Sequence, residues 1–205
     1  MTKKPEEARA YHHGDLRRAL ILAAERILEK DGPNALSLRA VAREAGVSAA
    51  APYHHFKDKD ELLAAVAHQG FEMLAEAMAK AADQVEDPFA RVNAIGVAYV
   101  CFARDNRALY HLMYDSNRRE NFRAEPRKSG EGPGGVTVRA LTRAAGGAEV
   151  DPLQLELRQV AGWCITHGLA EMEASREFAD LKQRLGGDKA FYSAVLAQLA
   201  PPRKG

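Results

Sequence analysis

Cys164 and His167 stand three residues apart in "GWCITHG", near enough on a helix for a thiol nucleophile and a general base to share a face. No third residue to orient the histidine and no oxyanion donor accompany them. The pair is read as core filling or as the wall of a ligand cavity, and no enzyme is expected. Adjacent histidines occur at His12–His13 and at His54–His55. Neighbours on a helix point apart, so neither pair reads as a metal site, and no cofactor is expected. A third group offers different chemistry. Ser37, Arg39, Ser48, Tyr53, His54 and Lys59 crowd into one short stretch, and hydroxyl, guanidinium, ring and ammonium groups are what meet phosphate oxygens and base edges.

The elements that must position these groups are helical. The chain has 205 residues, 46% hydrophobic and 28% charged, enough for a substantial buried core. Ala, Leu, Glu and Arg dominate, while alternating β-branched runs and Asn-Gly turns are scarce, so the fold class is all-α. No apolar run approaches the roughly 20 residues of a membrane span. The opening "MTKKPEEARAYHHGD" has no apolar stretch of the secretory kind. A reducing, cytoplasmic setting is expected, with Cys101 and Cys164 read as small core residues. Net charge is only +1, but residues 1–59 hold 11 basic against 8 acidic side chains, and residues 60–205 hold 18 against 20. The mild positive lean of the first region suits a phosphate-facing surface.

Apolar residues Leu16, Ala19, Leu20, Ala23, Ile27 and Leu28 recur at helical spacing until Gly32 and Pro33 stop them. Ser37 is placed to cap a second helix, Ser48 a third, and Asp58 with Glu61 a long fourth. Asp87-Pro88 and Asp151-Pro152 are further helix starts. Residues 117–135 are rich in charge, Gly and Pro and read as an exposed loop. Helices are expected near 136–145, 152–176 and 188–200. Residues 1–59 form the first domain, with an arm over 1–13, and residues 60–205 the second.

In "LRAVAREAGVS" the spacing of Ala42, Gly46 and the flanking Val41 and Val47 fits two short helices crossing tightly. The contact residue must be small, and the turn needs a positive φ that glycine adopts cheaply. A helix-turn-helix presents its second helix outward, into a major groove. Pro52 interrupts that helix: it has no N–H, and its ring opposes the carbonyl of Ser48. The first turn is therefore expected to be distorted or delayed.

Ala45, Gly46, Val47, Ser48, Tyr53, His55, Phe56, Lys59 and Leu62 stand in register with a signature that resembles the DNA-binding domain of the TetR family of transcriptional regulators. "YHHGDLRRALI" and "AGWCITHGLAEM" are similar to a TetR subgroup named for a Trp-His-Gly motif, here Trp163, His167 and Gly168. The resemblance implies an N-terminal three-helix helix-turn-helix domain and a C-terminal bundle for ligand binding and dimerisation. It implies a homodimer on palindromic double-stranded operator DNA, acting as a repressor released by a small hydrophobic effector, with no membrane partner. Ser37, Arg39, Ser48, Ala49, Ala50, Tyr53, His54 and Lys59 would meet DNA, while His55 and Phe56 anchor inward. Tyr99, Phe102, Tyr110, Met113, Trp163, Cys164 and His167 would line the effector cavity, with Gly168 leaving room beside the helix. Helices 152–176 and 188–200, carrying Leu157, Val160, Ile165, Leu196 and Leu199, would pair with their symmetry mates. The competing reading is a ligand-independent architectural DNA binder, separated from the first by a bundle cavity of roughly 300 Å³ or more.

Overall fold

The structure, a computed structural model, describes residues 13–115, 132–146 and 151–198. Among them every regular element is helical. The α-helices are α1 (His13–Asp31), α2 (Leu38–Glu44), α3 (Lys59–Asp83), α4 (Pro88–Asp105), α5 (Arg107–Tyr114), α6 (Gly132–Ala144), α7 (Pro152–Met172), α8 (Ala179–Leu185) and α9 (Asp188–Ala197). One-turn 3₁₀ helices cover Ala51–His54 and Arg176–Phe178. The chain divides into two compact units, Met1–Ala67 and His68–Gly205, so α3 supplies residues to both.

In the first unit the stripe foreseen for α1 is the core: Leu20, Ala23, Ala24, Ile27 and Leu28 are buried. Gly32, at φ +79°, closes α1 by donating its N–H to Leu28 O at 3.0 Å. Ser37 caps α2 by accepting from Ala40 N–H at 3.1 Å. The tight crossing is present: Ala42 is buried, Gly46 takes φ +69°, and Val47 N–H donates to Ala42 O at 2.9 Å. Val47 itself is half-buried. Asp58 and Glu61 cap α3 reciprocally, Asp58 accepting from Glu61 N–H at 2.9 Å and Glu61 from Lys57 N–H at 2.6 Å.

In the second unit α4 is the central helix, packed on α5, α6, α7 and α9. At Gly96 it meets α9 so closely that a Cβ would lie 2.8 Å from Leu196 Cδ1. One turn earlier, Asn93 Nδ2 donates to Ser193 O and Ser193 Oγ donates to Asn93 Oδ1, both at 2.9 Å. Asp87 and Asp151 cap α4 and α7, accepting from Ala90 N–H at 2.7 Å and Leu153 N–H at 3.0 Å. At the far end of α7 the buried Glu173 carboxylate accepts from Tyr192 Oη at 2.8 Å. Lys182 of α8 lies 3.4 Å from the same carboxylate and 3.0 Å from Asp188. One buried charge thus joins α7, α8 and α9.

Several expectations are corrected. Residues 132–135 of the expected loop are helical, because α6 starts at Gly132; the loop's other residues from 117 onward lie outside the described ones, as do residues 1–12 of the arm. The helix expected to reach residue 176 ends at Met172, and the 3₁₀ turn and α8 that follow were not foreseen. Neither α8 nor that turn has a buried residue, so no apolar stripe announces them. They are set instead by the Lys182 contacts and by the turn at Gly186 (φ +91°) and Gly187 (φ +114°). Leu196 is buried against α4 rather than free for a partner, and Leu199 lies outside the described residues. Cys164 is exposed and Cys101 only half-buried, so neither is a true core residue. Tyr192→Phe should remove the hydroxyl that solvates buried Glu173 and cost about 1–3 kcal/mol, read as a lower urea midpoint with an unchanged slope.

Candidate functional site

Ser37, Arg39, Ser48, Ala49, Ala50, Tyr53 and His54 are all exposed in the first unit, and Tyr53 keeps 54% of its surface in solvent. An exposed ring of that size has no use in the core. The α-helix expected from Ser48 is absent. The segment is the 3₁₀ turn Ala51–His54, and Ser48 provides no side-chain cap to it; only its backbone carbonyl is engaged, by Ala51 N–H at 3.0 Å. Pro52, buried, is the physical reason, since it removes the bond that would run to Ser48. Phe56 anchors the end of the segment, fully buried with the Arg17 guanidinium 5.4 Å from its ring centroid. His55 is half-buried, its Nε2 enclosed without a hydrogen-bond partner. Lys59 donates to Pro33 O at 2.9 Å, which uses one of its three ammonium protons and fixes the head group at the start of α3.

The second unit gathers a cluster of rings from α3, α4, α5 and α7. Tyr110 Oη lies 2.6 Å and Tyr99 Oη 3.0 Å from His167 Nδ1, with the two hydroxyls 3.4 Å apart. Tyr114 stacks edge-on to His167 at 4.7 Å, Trp163 lies 5.7 Å from His167, and Phe71 packs edge-on to Tyr114 at 5.4 Å. Tyr99 and Tyr110 are buried, whereas Phe71, Tyr114 and His167 are half-buried and Trp163 is 42% exposed. Burial, the largest cause, pushes both buried phenols well above their ordinary range. Each therefore keeps its proton, and His167 Nδ1 lies within hydrogen-bond reach of both hydroxyls. The cluster is a floor of paired polar atoms with a partly open rim of aromatic edges.

The outer side of α7 is apolar as well. Leu153, Leu157, Val160, Ile165 and Met172 are exposed, Leu157 to 53%. Gly168 shares the column of Leu157, Ala161 and Cys164 at four-, three- and four-residue steps, and a Cβ there would meet nothing within 4 Å. Its open space is thus on the outward face, about 100° around the helix from His167, and not in a chamber beside it.

Two family models match the chain: bacterial regulatory proteins of the tetR family over residues 20–66, and the tetracyclin repressor-like C-terminal domain over residues 92–198. The chain belongs to the TetR family. A structure of a protein of unknown function from Rhodococcus sp. RHA1 is 35% identical, covers 94% of this chain and 97% of that one, and superposes with a TM-score of 0.70. An HTH-type transcriptional regulator of Haemophilus influenzae is 29% identical over 109 residues, which is 53% of this chain and 58% of the relative. The nicotine-responsive transcriptional repressor of Paenarthrobacter nicotinovorans is 40% identical over 73 residues, 36% of this chain and 38% of the relative. The matched stretches thus span only about half of those curated relatives.

TetR proteins are transcription regulators rather than enzymes. Among the described residues no set of three His, Cys, Asp or Glu side chains could hold a metal ion, and no helix is long and apolar enough to cross a membrane. Of the seven residues expected to line a cavity, Tyr99, Tyr110, Trp163 and His167 come together, while Met113 is buried against Gly70 and Cys164 faces outward. Phe102 belongs elsewhere. It lines an open groove of about 790 Å³ with Ala77 and Ala81 of α3 and Ala94, Val97 and Cys101 of α4. Sequence reading missed Phe71 and passed over Tyr114 for the rim; both sit at ordinary helical spacing, where a rim ring and a core ring look alike. The raised phenols make a checkable statement. Tyr99, Tyr110 and Tyr192 stay neutral in the folded state, while unfolded tyrosines ionise near about pH 10. Stability should hold up to that pH and fall above it, and tyrosinate absorbance should show fewer than six phenols titrating before unfolding.

Proposed function

We propose that this TetR-family chain is a cytoplasmic repressor that binds a palindromic operator as a homodimer and is released by a small hydrophobic effector, and that it belongs to the Trp-His-Gly subgroup. The observation that carries the reading is the double use of α7. One edge of it holds Trp163 and His167 in the ring cluster, and the adjoining outer column carries Leu157, Ala161 and Cys164 bare. The outer face is the proposed contact with a second copy, since bare apolar side chains on one helix gain most by pairing with their own kind about a two-fold axis. The effector is proposed to enter at the open rim of Trp163, Tyr114 and His167. A molecule wedged there favours one setting of α7, and any change in α7 is felt at the dimer contact. Linkage then requires that effector and operator bind at each other's expense when they favour different settings.

The effector reading rests on the ring cluster and its open rim, since the groove of about 790 Å³ along α4 is open to solvent and lined by none of the cluster's residues. Exposed Ser37, Arg39, Ser48, Ala49, Ala50, Tyr53 and His54, with Lys59 at the start of α3, form the proposed DNA face. Half-sites about 34–36 Å apart would make operator affinity sensitive to a shift of a few ångströms. The test is titration of selected operator and scrambled duplex at several salt concentrations. Lys59→Ala should weaken both DNAs alike and reduce the salt slope by about one unit. Arg39→Ala should cost about 1–3 kcal/mol on operator alone and relax one base pair per half-site. Equal losses on both DNAs for Arg39→Ala would strip it of base reading, and an absence of any sequence preference in the wild type would end the repressor proposal.

A further inference from the structure

The backbone of the segment that faces outward in the first unit turns on bonds reaching back three residues. Ala51 N–H donates to Ser48 O at 3.0 Å, Tyr53 N–H to Ala50 O at 3.2 Å, and His55 N–H to Pro52 O at 2.9 Å. A four-residue bond returns only afterwards, from Phe56 N–H to Pro52 O at 2.9 Å. The cause is one residue. In an α-helix position 52 would donate to Ser48 O, and proline has no proton to give and needs that space for its ring. Pro52 is buried, while Ala49, Ala50, Tyr53 and His54 are exposed. The lock is on the inside and the presented side chains are on the outside.

The two helix types present those side chains differently. A 3₁₀ turn holds about 3.0 residues with a rise of about 2.0 Å each, against about 3.6 residues and 1.5 Å in an α-helix. Side chains three apart eclipse in the first, so Tyr53 stands in line with Ala50. In an α-helix Tyr53 would instead lie between Ala49 and Ala50, about 40° around the axis from the first and about 60° from the second. The two arrangements differ in kind: the 3₁₀ turn sets the phenol ring in line with the Ala50 methyl alone, and an α-helix would set it between two methyl groups at a smaller rise per residue.

We infer that Pro52 is a specificity-positioning residue, which without touching DNA decides how the alanine methyls are presented beside Tyr53 and so which base step each half-site prefers. This rests on the proposed reading that residues 49–54 face bases. Beside the His54 imidazole, the surface presented by Ala49, Ala50 and Tyr53 is methyl groups and a phenol ring, which suits the C5-methyl of thymine better than the hydrogen-bonding edges of G·C pairs.

The experiment is selection of bound duplexes from a random pool by the full-length wild type, Pro52→Ala and Pro52→Val. Affinities are then measured on the selected sequences and on scrambled DNA. Alanine releases the backbone, and valine does so while keeping most of the buried volume, so that one variant stands if the other fails to fold. The expected result is a changed base preference at one or two adjacent positions per half-site. With it should come a loss of about tenfold on the wild-type sequence and a change within about twofold on scrambled DNA, in keeping with the usual cost of a mismatched base pair. Replacing thymine by deoxyuridine at those positions should weaken the wild type about three- to tenfold, since only the methyl is lost. Folded variants that select the wild-type sequence with undiminished discrimination would overturn the inference. So would equal losses on all DNAs, which would mark Pro52 as a purely structural residue. A wild type indifferent to every thymine methyl, with no preference at the positions in question, would instead bring down the underlying reading of residues 49–54 as the base-facing surface, and the role of Pro52 with it.

Discussion

A buried phenol must find a hydrogen-bond partner, and in an otherwise apolar bundle partners are few. Tyr99 of α4 and Tyr110 of α5 meet this constraint in one three-atom group, their two hydroxyls and His167 Nδ1 of α7. Leaving either hydroxyl unpaired would cost about 1–3 kcal/mol, so the contact fixes the rotation of α7 about its own axis. With Thr166, Leu169 and Ala170 buried, the opposite side of α7, the column of Leu157, Ala161 and Cys164, is left outward. The bare apolar face is the side of α7 turned away from Thr166, Leu169 and Ala170.

A comparable constraint governs the first unit. Gly46 supplies the positive φ that lets α2 turn tightly, and Phe56 and Leu62 hold the following segment to the core. Between them the chain passes Pro52, whose missing N–H converts a helical turn to a 3₁₀ turn. The core thus dictates how the exposed Ala50 and Tyr53 are presented. In both units a buried residue of fixed chemistry sets the orientation of an exposed surface, and the exposed surface is where function is proposed.

Much of this was legible in the sequence, and the limits have physical causes. Caps announced themselves: Ser37, Asp58, Asp87 and Asp151 all accept backbone N–H bonds at helix starts. The α1 stripe and the Ala42–Gly46 crossing were readable because burial and positive φ restrict residue type severely. Ser48 misled because a capping residue needs an α-helix after it, and Pro52 removed that helix. The α8 segment was invisible because it is held by Lys182 reaching Glu173 and Asp188, long-range charge contacts that no periodicity encodes. For Gly168 the motif was legible but its direction was not. Spacing places it beside His167 in sequence, whereas the 100° helical step sends it to the opposite concern, the outer face.

The central claim is that the outer face of α7 meets a second copy of the chain. The direct measurement uses the native cysteines, since Cys164 lies on that face and Cys101 lies in the groove along α4. Full-length protein at micromolar concentration is treated with a short bis-maleimide, and the linked residues are identified by peptide mass mapping. The account predicts a covalent dimer joined through Cys164 to Cys164, lost in Cys164→Ser and retained in Cys101→Ser. A protein that stays monomeric under these conditions, or that links only through Cys101, would contradict it.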